Sequence, residues 1–508
     1  MTLARSAIFG KLSERGREGT LLRVIGLTLM GIGLAMLVPL AAALLFDESI
    51  IPFASVAVCC IIASIPMMLL FRSGKDMRPV DGLLLIFIVW GIVMLISAFP
   101  FMQSGMSPMD AFFESVSGFT TTGSTVMGSV EAYPKSLLLW RSLTQWIGGM
   151  AIILIFISVF PILGLGGRTI FRNEMSGSGT SNFTAKMKDA AVEFCIVYGV
   201  LSAIFFVICT IMSEDPFDSL CLTFTTISTG GFMSHDGGAG VYSPYVQILI
   251  IVFMFLGGTN FYLHYQRIYR KNDAGYLKNS EFRSMLILYA VAAVVLFGLT
   301  YGLFKGTGVL TYAKDVVFTV VSMGTSTGFT VTDVNAWTAA PAAVAILFVV
   351  ILIGGSSGST SGGIKIGRAV ILLKTVMVDL KKRVHPRAVL DVRMGSETLD
   401  KETVSATSVL IFLFAVTIAG GAFALMLLES IGLADSFMLS LTTVANCGFA
   451  GPYGPADLAT LSAGGKGVMT MLMWIGRLEI GTALVLFTPF FWKEIIRSRR
   501  RVKHTENE

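Results

Sequence analysis

Four stretches of this chain end alike. They read SVSGFTTTGSTV over 115–126, LTFTTISTGGF over 222–232, VSMGTSTGF over 321–329 and LTTVANCGFAG over 441–451. Set on one glycine each, they give Thr122-Gly123-Ser124, Thr229-Gly230-Gly231, Thr327-Gly328-Phe329 and Cys447-Gly448-Phe449, with the glycines 107, 98 and 120 residues apart. An aspartate precedes each glycine: Asp110 by 13 residues, Asp218 by 12, Asp315 by 13 and Asp435 by 13. The stretch between acid and glycine is apolar and of helical length. Aspartate is a favoured N-cap because its carboxylate accepts from exposed main-chain N–H groups. Each unit is therefore predicted to be an aspartate-capped half-helix of about two or three turns, followed by an extended segment rich in Gly, Thr and Ser.

The setting of these units is a membrane. Of the 508 residues 54% are hydrophobic and 14% charged, against about 25% charged in soluble domains. Ten apolar runs approach the ~20 residues that a helix needs to cross: 21–46, 53–71, 82–101, 136–165, 190–212, 246–262, 285–304, 339–353, 404–428 and 467–491. The first is longer than the core of a cleavable signal peptide and reads as a retained helix. A span precedes each half-helix and another follows it. The repeat is span, half-helix, loop, span, and four parallel copies can surround one axis. The fold class is all-α integral membrane: four pseudo-symmetric repeats around a central pore, plus two N-terminal transmembrane helices. The expected layout is a two-helix segment over 1–75, repeat 1 over 76–165, a cytoplasmic linker over 166–189, repeat 2 over 190–272 and repeat 3 over 273–385. A second linker over 386–402, repeat 4 over 403–497 and a cytoplasmic tail over 498–508 complete it.

Basic residues cluster before the first span and at 72–78, 168–188, 267–283, 365–401 and 493–503. With ten spans all of these fall on one side, which the inside-positive rule makes cytoplasmic, as are both termini. The other side is acidic and would concentrate cations, although solvated loops explain acids equally well. The six cysteines and four histidines show no metal-ligand spacing.

Unpaired backbone at membrane depth is tolerated only inside protein or along a watery cavity. Carbonyls from four loops can replace the hydration shell of a cation. Glycine allows such a carbonyl to turn without steric cost, and half-helix C-termini bring partial negative charge. The alternative is that the small residues only allow close helix packing. Recurrence of glycine and acid together in four copies favours the ion path.

At these residues the chain resembles the Trk/Ktr/HKT superfamily of potassium transporters, in its bacterial Trk-type branch. Further carriers of the resemblance are WRSLTQWIGGM (140–150), FLGGTNFYLHYQ (255–266), GGSSGSTSGGIKIGR (354–368) and WIGRLEIGT (474–482). It implies potassium uptake through a single-chain pore. The filter would comprise Thr121, Thr122, Gly123, Ser228, Thr229, Gly230, Ser326, Thr327, Gly328, Asn446, Cys447 and Gly448, with potassium as the bound metal ion. Glycine at 123, where related plant transporters with sodium preference have serine, points to potassium. The fourth loop departs from the family pattern, in which proline and glycine follow Asn-x-Gly; here Phe449, Ala450 and Gly451 follow. The resemblance also implies a homodimer in the inner membrane and a cytosolic nucleotide-binding regulatory subunit. The basic segments 267–283 and 374–393 are candidate docking surfaces for it, or contacts for anionic membrane lipid. No organic cofactor, nucleic-acid partner or catalytic site is expected.

A run of glycines interrupts the third repeat's second span, and each costs a helix about 1 kcal/mol relative to alanine. Gly354, Gly355, Ser356, Ser357, Gly358, Ser359, Thr360, Ser361, Gly362, Gly363 and Lys365 are read as a loop entering the path below the filter. The family carries an intramembrane gating loop here. A phosphate-binding loop would need Gly-Lys-Ser/Thr between a strand and a helix, and Lys365 lies between Ile364 and Ile366. Arg477, inside the last apolar run, completes the gate set. Two readings of it stand: a charge that limits cation flow beside the loop, or a pair with Glu479 or Glu114 that locks helices. Arg141 and His264 are read as structural. Two other classes remain open: a secondary transporter coupling potassium or sodium to protons or sodium, and an intramembrane serine enzyme, for which no base is placed.

Overall fold

The computed structural model describes residues 16–71, 79–158, 180–213, 215–269, 275–302, 308–331, 337, 340–395, 397–449 and 455–495. The stretch 72–78, Ala450 and Gly451 of the fourth loop, and the tail beyond 495 lie outside these, as do most of the linker and basic cluster between 159 and 179. In chain order the helices are α1 (Gly16–Ala35), α2 (Leu37–Leu45), α3 (Ile51–Leu70), α4 (Pro79–Ser97), α5 (Phe99–Gln103), α6 (Pro108–Phe119), α7 (Lys135–Ser158) and α8 (Thr180–Ser213). They continue with α9 (Pro216–Ile227), α10 (Pro244–Gly257), α11 (Phe261–Tyr269), α12 (Ser280–Thr300), α13 (Val309–Gly324), α14 (Pro341–Ile353) and α15 (Ile366–Val384). The last are α16 (Lys401–Glu429), α17 (Leu433–Val444), α18 (Pro455–Thr460), α19 (Ala463–Arg477) and α20 (Ile480–Val485). Extended pairing among the described residues is one two-residue ladder, β1 (Arg393–Met394) with β2 (Glu397–Thr398).

The protein is an all-α, multi-span membrane protein. Its outward faces are apolar: on α8 the exposed Val192, Ile196, Val200, Ile204, Val207 and Ile211 follow one another at three- and four-residue steps, a stripe suited to lipid. Its interior is unusually rich in hydroxyls. Among the described residues seven helices are long and apolar enough to cross, and α10 with α11 forms a further span bent by 97°. That corrects the ten continuous runs. The second spans of repeats 2, 3 and 4 each break, after Gly257, Ile353 and Arg477, whereas α7 of repeat 1 runs through.

The half-helices are α6, α9, α13 and α17, and their caps differ from expectation. Asp110, Asp218 and Asp435 sit at the third helical position, one turn inside, and Asp315 at the seventh. The caps are Ser107, whose Oγ accepts from the Asp110 amide at 3.2 Å and donates to its carboxylate at 2.7 Å, Asp215, which accepts from the Phe217 and Asp218 amides, and Gly308 and Gly432. A carboxylate one turn in still meets the positive helix end, so the spacing persisted although the role differed.

The chain divides into two compact units. One comprises 1–115, 133–140 and 481–508, the other 116–132 and 141–480. In the first, Gly26 and Gly33 of α1 lie against α3, where added Cβ atoms would come within 2.7 Å of Met67 and 2.9 Å of Ile61. Such close crossings are how helices pack in lipid. Glu48 accepts from the Lys135 and Ser136 amides at 2.7 and 2.9 Å and so closes the N-terminus of α7. The second unit holds all four glycine loops.

Candidate functional site: four loops and the segment beneath them

Each half-helix ends in the same left-handed turn. Thr121, Thr229, Ser326 and Asn446 have φ of 50°, 51°, 55° and 51°. Their amides bond back three residues, to Gly118, Thr226, Met323 and Thr443. The next amides, of Thr122, Gly230, Thr327 and Cys447, bond back five, to Ser117, Thr225, Ser322 and Thr442. This pair of bonds defines the Schellman termination. It also fixes the register of the repeats. Thr229 corresponds to Thr121, so Gly230 corresponds to Thr122, and Gly231 is the partner of Gly123, Gly328 and Gly448. The sequence alignment on Gly230 was one residue short. With Gly231 in place the acid-to-glycine interval is 13 in all four repeats, and Ser228 moves to the position of Thr120.

The four glycines form a closed ring. A Cβ on Gly123 would overlap the Gly230 carbonyl and stand 3.0 Å from Gly231 Cα; one on Gly231 would overlap the Thr327 carbonyl. At Gly328 it would stand 2.8 Å from the Gly448 nitrogen, and at Gly448 it would stand 2.8 Å from the Thr122 oxygen. Repeat 1 therefore touches 2, 2 touches 3, 3 touches 4 and 4 returns to 1. Glycine is needed here for close approach as well as for φ, which is 84°, 91° and 81° at Gly123, Gly231 and Gly328.

The ring is braced from outside. Gln145 of α7 donates from Nε2 to the Gly230 oxygen at 2.7 Å and accepts from the Phe232 amide at 3.1 Å, straddling Gly231. Asn446 Nδ2 reaches Thr122 Oγ1 at 3.1 Å and the Met473 oxygen at 2.8 Å. Thr122 in turn bonds Thr120 at 2.7 Å, and Thr327 bonds Thr325 at 2.8 Å. Arg141 stacks on Phe232 at 3.5 Å and donates to the Met233 oxygen at 2.9 Å, so its role is to hold the segment after the second loop. Further out, Asp236 accepts from Ser129 Oγ and the Val130 amide, both at 2.6 Å. Among the described residues no donor reaches the main-chain oxygens of Thr121, Thr229, Ser326 or Asn446, which belong to residues at most 1% exposed. Buried carbonyls without partners are costly. The four occupy equivalent positions, one in each repeat, just before the glycine ring.

A collar of small residues lies beneath. Gly148, Gly257 and Gly476 sit where a Cβ would collide with the last carbonyls of their own half-helices, those of Phe119, Ile227 and Val444. The residue after each is Gly149, Gly258 and Arg477, and in repeat 3 Gly355 follows Gly354. Gly149 and Gly258 pack against Ser228 and Thr325 of the next repeat. In repeat 3 the helix breaks at Gly354, and residues 354–365 turn in under the ring. Thr360 Oγ1 meets Thr229 Oγ1 at 3.0 Å, Ser326 Oγ accepts from the Gly362 amide at 2.6 Å, and Gly362 lies against the Ala445 carbonyl. The segment is also fastened to repeat 2: the Ser356 amide donates to the Gly258 oxygen at 2.9 Å and the Phe261 amide to the Gly358 oxygen at 3.1 Å.

Arg477 is buried and donates to the Thr360 oxygen at 2.7 Å and the Gly148 oxygen at 3.4 Å. Its expected partner Glu479 instead takes Arg368 by both carboxylate oxygens, at 2.9 and 2.7 Å. Arg477 itself bridges the segment to repeat 1. Lys365 Nζ donates to the Ser361 oxygen. Lys365, Arg368, Arg477 and Glu479 line one small cavity with Ser359, Ser361 and Asn446. His264 has both ring nitrogens engaged: Nε2 donates to the Leu256 oxygen at 2.9 Å, so Nδ1 accepts from Tyr276 at 2.9 Å.

The structure brings Gly123, Gly328 and Gly448 together in the ring and residues 354–363 beneath it, while Ser228 lies one position before its ring triplet and Arg141 and His264 lie outside. Gly231 and Gln145 were missed. The constant interval of 13 residues pointed to the first, and a lone amide inside an apolar span pointed to the second.

Comparison with known proteins identifies the family. Residues 52–494 match the family model "TrkH: Cation transport protein". The Trk system potassium uptake protein TrkH of Halomonas elongata is 30% identical over 486 residues, covering 93% of this chain and 99% of the relative. The Trk system potassium uptake protein TrkG of Escherichia coli K12 is 31% identical over 474 residues, covering 91% and 96%. The crystal structure of the potassium transporter TrkH from Vibrio parahaemolyticus superposes with a TM-score of 0.85 at 28% identity, covering 93% of this chain and 99% of that one. With residues 52–494 matched by one family model, the chain belongs to the TrkH family of cation transport proteins.

Proposed function

We propose that the protein is the membrane subunit of a potassium uptake system of the inner membrane, with both termini cytoplasmic. The ion path runs through the ring of Thr121-Thr122-Gly123, Thr229-Gly230-Gly231, Ser326-Thr327-Gly328 and Asn446-Cys447-Gly448. The observation that carries this reading is the closed ring of four glycines, beside which the buried main-chain oxygens of Thr121, Thr229, Ser326 and Asn446 have no donor among the described residues. Potassium sheds its water at modest cost when several carbonyls replace it. Residues 354–365 act as the gate. They lie across the path below the ring, and Arg477 fastens them while opposing cations by its charge. The layout is a two-helix segment over 1–75 and four repeats over 76–165, 190–272, 273–385 and 403–497, joined by cytoplasmic linkers. A second copy of the chain and a cytosolic nucleotide-binding regulator are the partners, the latter meeting the basic segments 267–283 and 374–393.

The test is ion flux through purified protein in liposomes, with potassium, sodium and proton gradients varied independently. Potassium flux that exceeds sodium flux and follows its own gradient supports a channel-like path. Flux that requires a proton or sodium gradient would instead favour coupled transport.

A further inference from the structure

Glu281 stands in the first turn of α12 and is 4% exposed. Among the described residues no lysine or arginine bonds its carboxylate directly, and the charge of Lys365 on the inserted segment acts on it from nearby. One oxygen, Oε1, accepts from the Ser357 amide at 2.6 Å and from the Gly367 amide at 3.1 Å. These two donors lie on opposite stems of the inserted segment, one just after it leaves α14 and the other where it enters α15. A single carboxylate oxygen thus clasps both ends of the segment to the first span of the same repeat. Gly367 is shaped for this clasp, since a Cβ there would stand 2.8 Å from Oε1. Burying a carboxylate is expensive unless strong donors meet it, so this placement is not a neutral feature of packing.

The turn that carries Glu281 is tied to the surrounding structure. Asn279 Oδ1 caps α12 by accepting from the Phe282 amide at 2.9 Å. Tyr276, three residues earlier, bonds His264 and packs on Phe282 with ring centroids 5.3 Å apart. His264 is anchored to the end of α10 through Leu256. The short segment 275–282 therefore joins α11, the end of α10 and both stems of the inserted loop.

We propose that Glu281 is a positioning residue that latches the gate. While its carboxylate holds the Ser357 and Gly367 amides, the segment stays under the ring. Displacement of residues 275–282, which adjoin the basic stretch that follows α11, withdraws the carboxylate and frees both stems together. The proposal rests on reading 354–365 as the gate.

The experiment compares the full-length protein with Glu281→Gln, Glu281→Ala and Asn279→Ala. Two quantities are measured: amide hydrogen exchange of the peptide spanning 355–367, and potassium flux in liposomes without a regulator. A neutral amide in place of a charged acceptor should speed exchange of the loop about tenfold, with alanine exceeding glutamine. Potassium flux should rise in the same order at an unchanged potassium-to-sodium ratio. Asn279→Ala, which loosens the turn that presents Glu281, should move both in the same direction, by less than Glu281→Gln. Loop exchange that stays at the wild-type rate in Glu281→Gln overturns the latch, and leaves the gate reading to the Arg477 variant. Faster exchange with unaltered flux means that the clasp exists but the segment is no gate, which overturns the proposal through its premise. Glu281→Gln is isosteric, so the outcome stands even if the alanine variant fails to fold.

Discussion

Arg477 donates to the Thr360 oxygen at 2.7 Å, and this bond joins the residue that replaces a collar glycine in repeat 4 to the inserted segment of repeat 3. A buried cation at this level has two consequences. It binds the segment and, on the proposed ion path, opposes a passing cation. At an effective dielectric near 20, a unit charge opposes a cation that passes at about 8 Å by about 2 kcal/mol, roughly thirtyfold in rate. Arg477→Ala is expected to raise potassium flux by at least tenfold in protein that elutes as a single folded species. A folded variant with wild-type flux would sink the barrier role.

The register of the second loop is tested by two neighbouring substitutions. Gly231→Ala puts a Cβ into the Thr327 carbonyl at a φ of 91°, a conformation costing an L-residue about 1–2 kcal/mol before any overlap. Gly230→Ala meets the Gln145 side chain, which can rotate away. Gly231→Ala should therefore abolish potassium preference, measured as relative potassium and sodium uptake, while Gly230→Ala weakens it. The reverse order would restore the alignment on Gly230.

Gln145 both donates and accepts across Gly231. Gln145→Leu leaves the Gly230 oxygen and the Phe232 amide without their partner, at a cost of about 1–3 kcal/mol for each buried group. Gln145→Glu keeps the acceptor but points an anion at the Gly230 carbonyl. Both should lower the thermal midpoint of unfolding in detergent and admit more sodium. Equal potassium-to-sodium ratios in all three proteins would show that the brace does not shape the ring.

Outside the membrane, the second loop is fastened by Asp236. Burial works to raise its pKa, but bonds from Ser129 Oγ and the Val130 and Glu131 amides, with His235 nearby, outweigh it and hold the carboxyl below its usual value. A lowered folded pKa means that the carboxylate stabilises the fold above the unfolded pKa, near 3.9, and that this contribution fades as pH falls through the folded value. The stability gap between wild type and Asp236→Asn, followed by thermal unfolding from pH 6 downward, should shrink toward acid. A gap that widens toward acid would contradict the bonding described.

Much of this architecture was legible in the chain itself. Hydropathy and the scarcity of charge determined a membrane protein, because ~20 apolar residues have few other uses. The spacing of Asp110, Asp218, Asp315 and Asp435 before their glycines determined four copies of one half-helix unit, because a repeated interval records a repeated shape. Local pattern alone left the caps ambiguous, since aspartate suits both the cap and the first turn of a helix. It also left Gly230 and Gly231 indistinguishable, since either can take a positive φ. Only the tertiary structure decided between them, through the neighbour that occupies the space of the missing Cβ. The same holds for the collar beneath the ring and for the partners of Arg477 and Glu281: these bonds join residues up to 329 positions apart, and no periodicity along a chain encodes which carbonyl a distant side chain will meet.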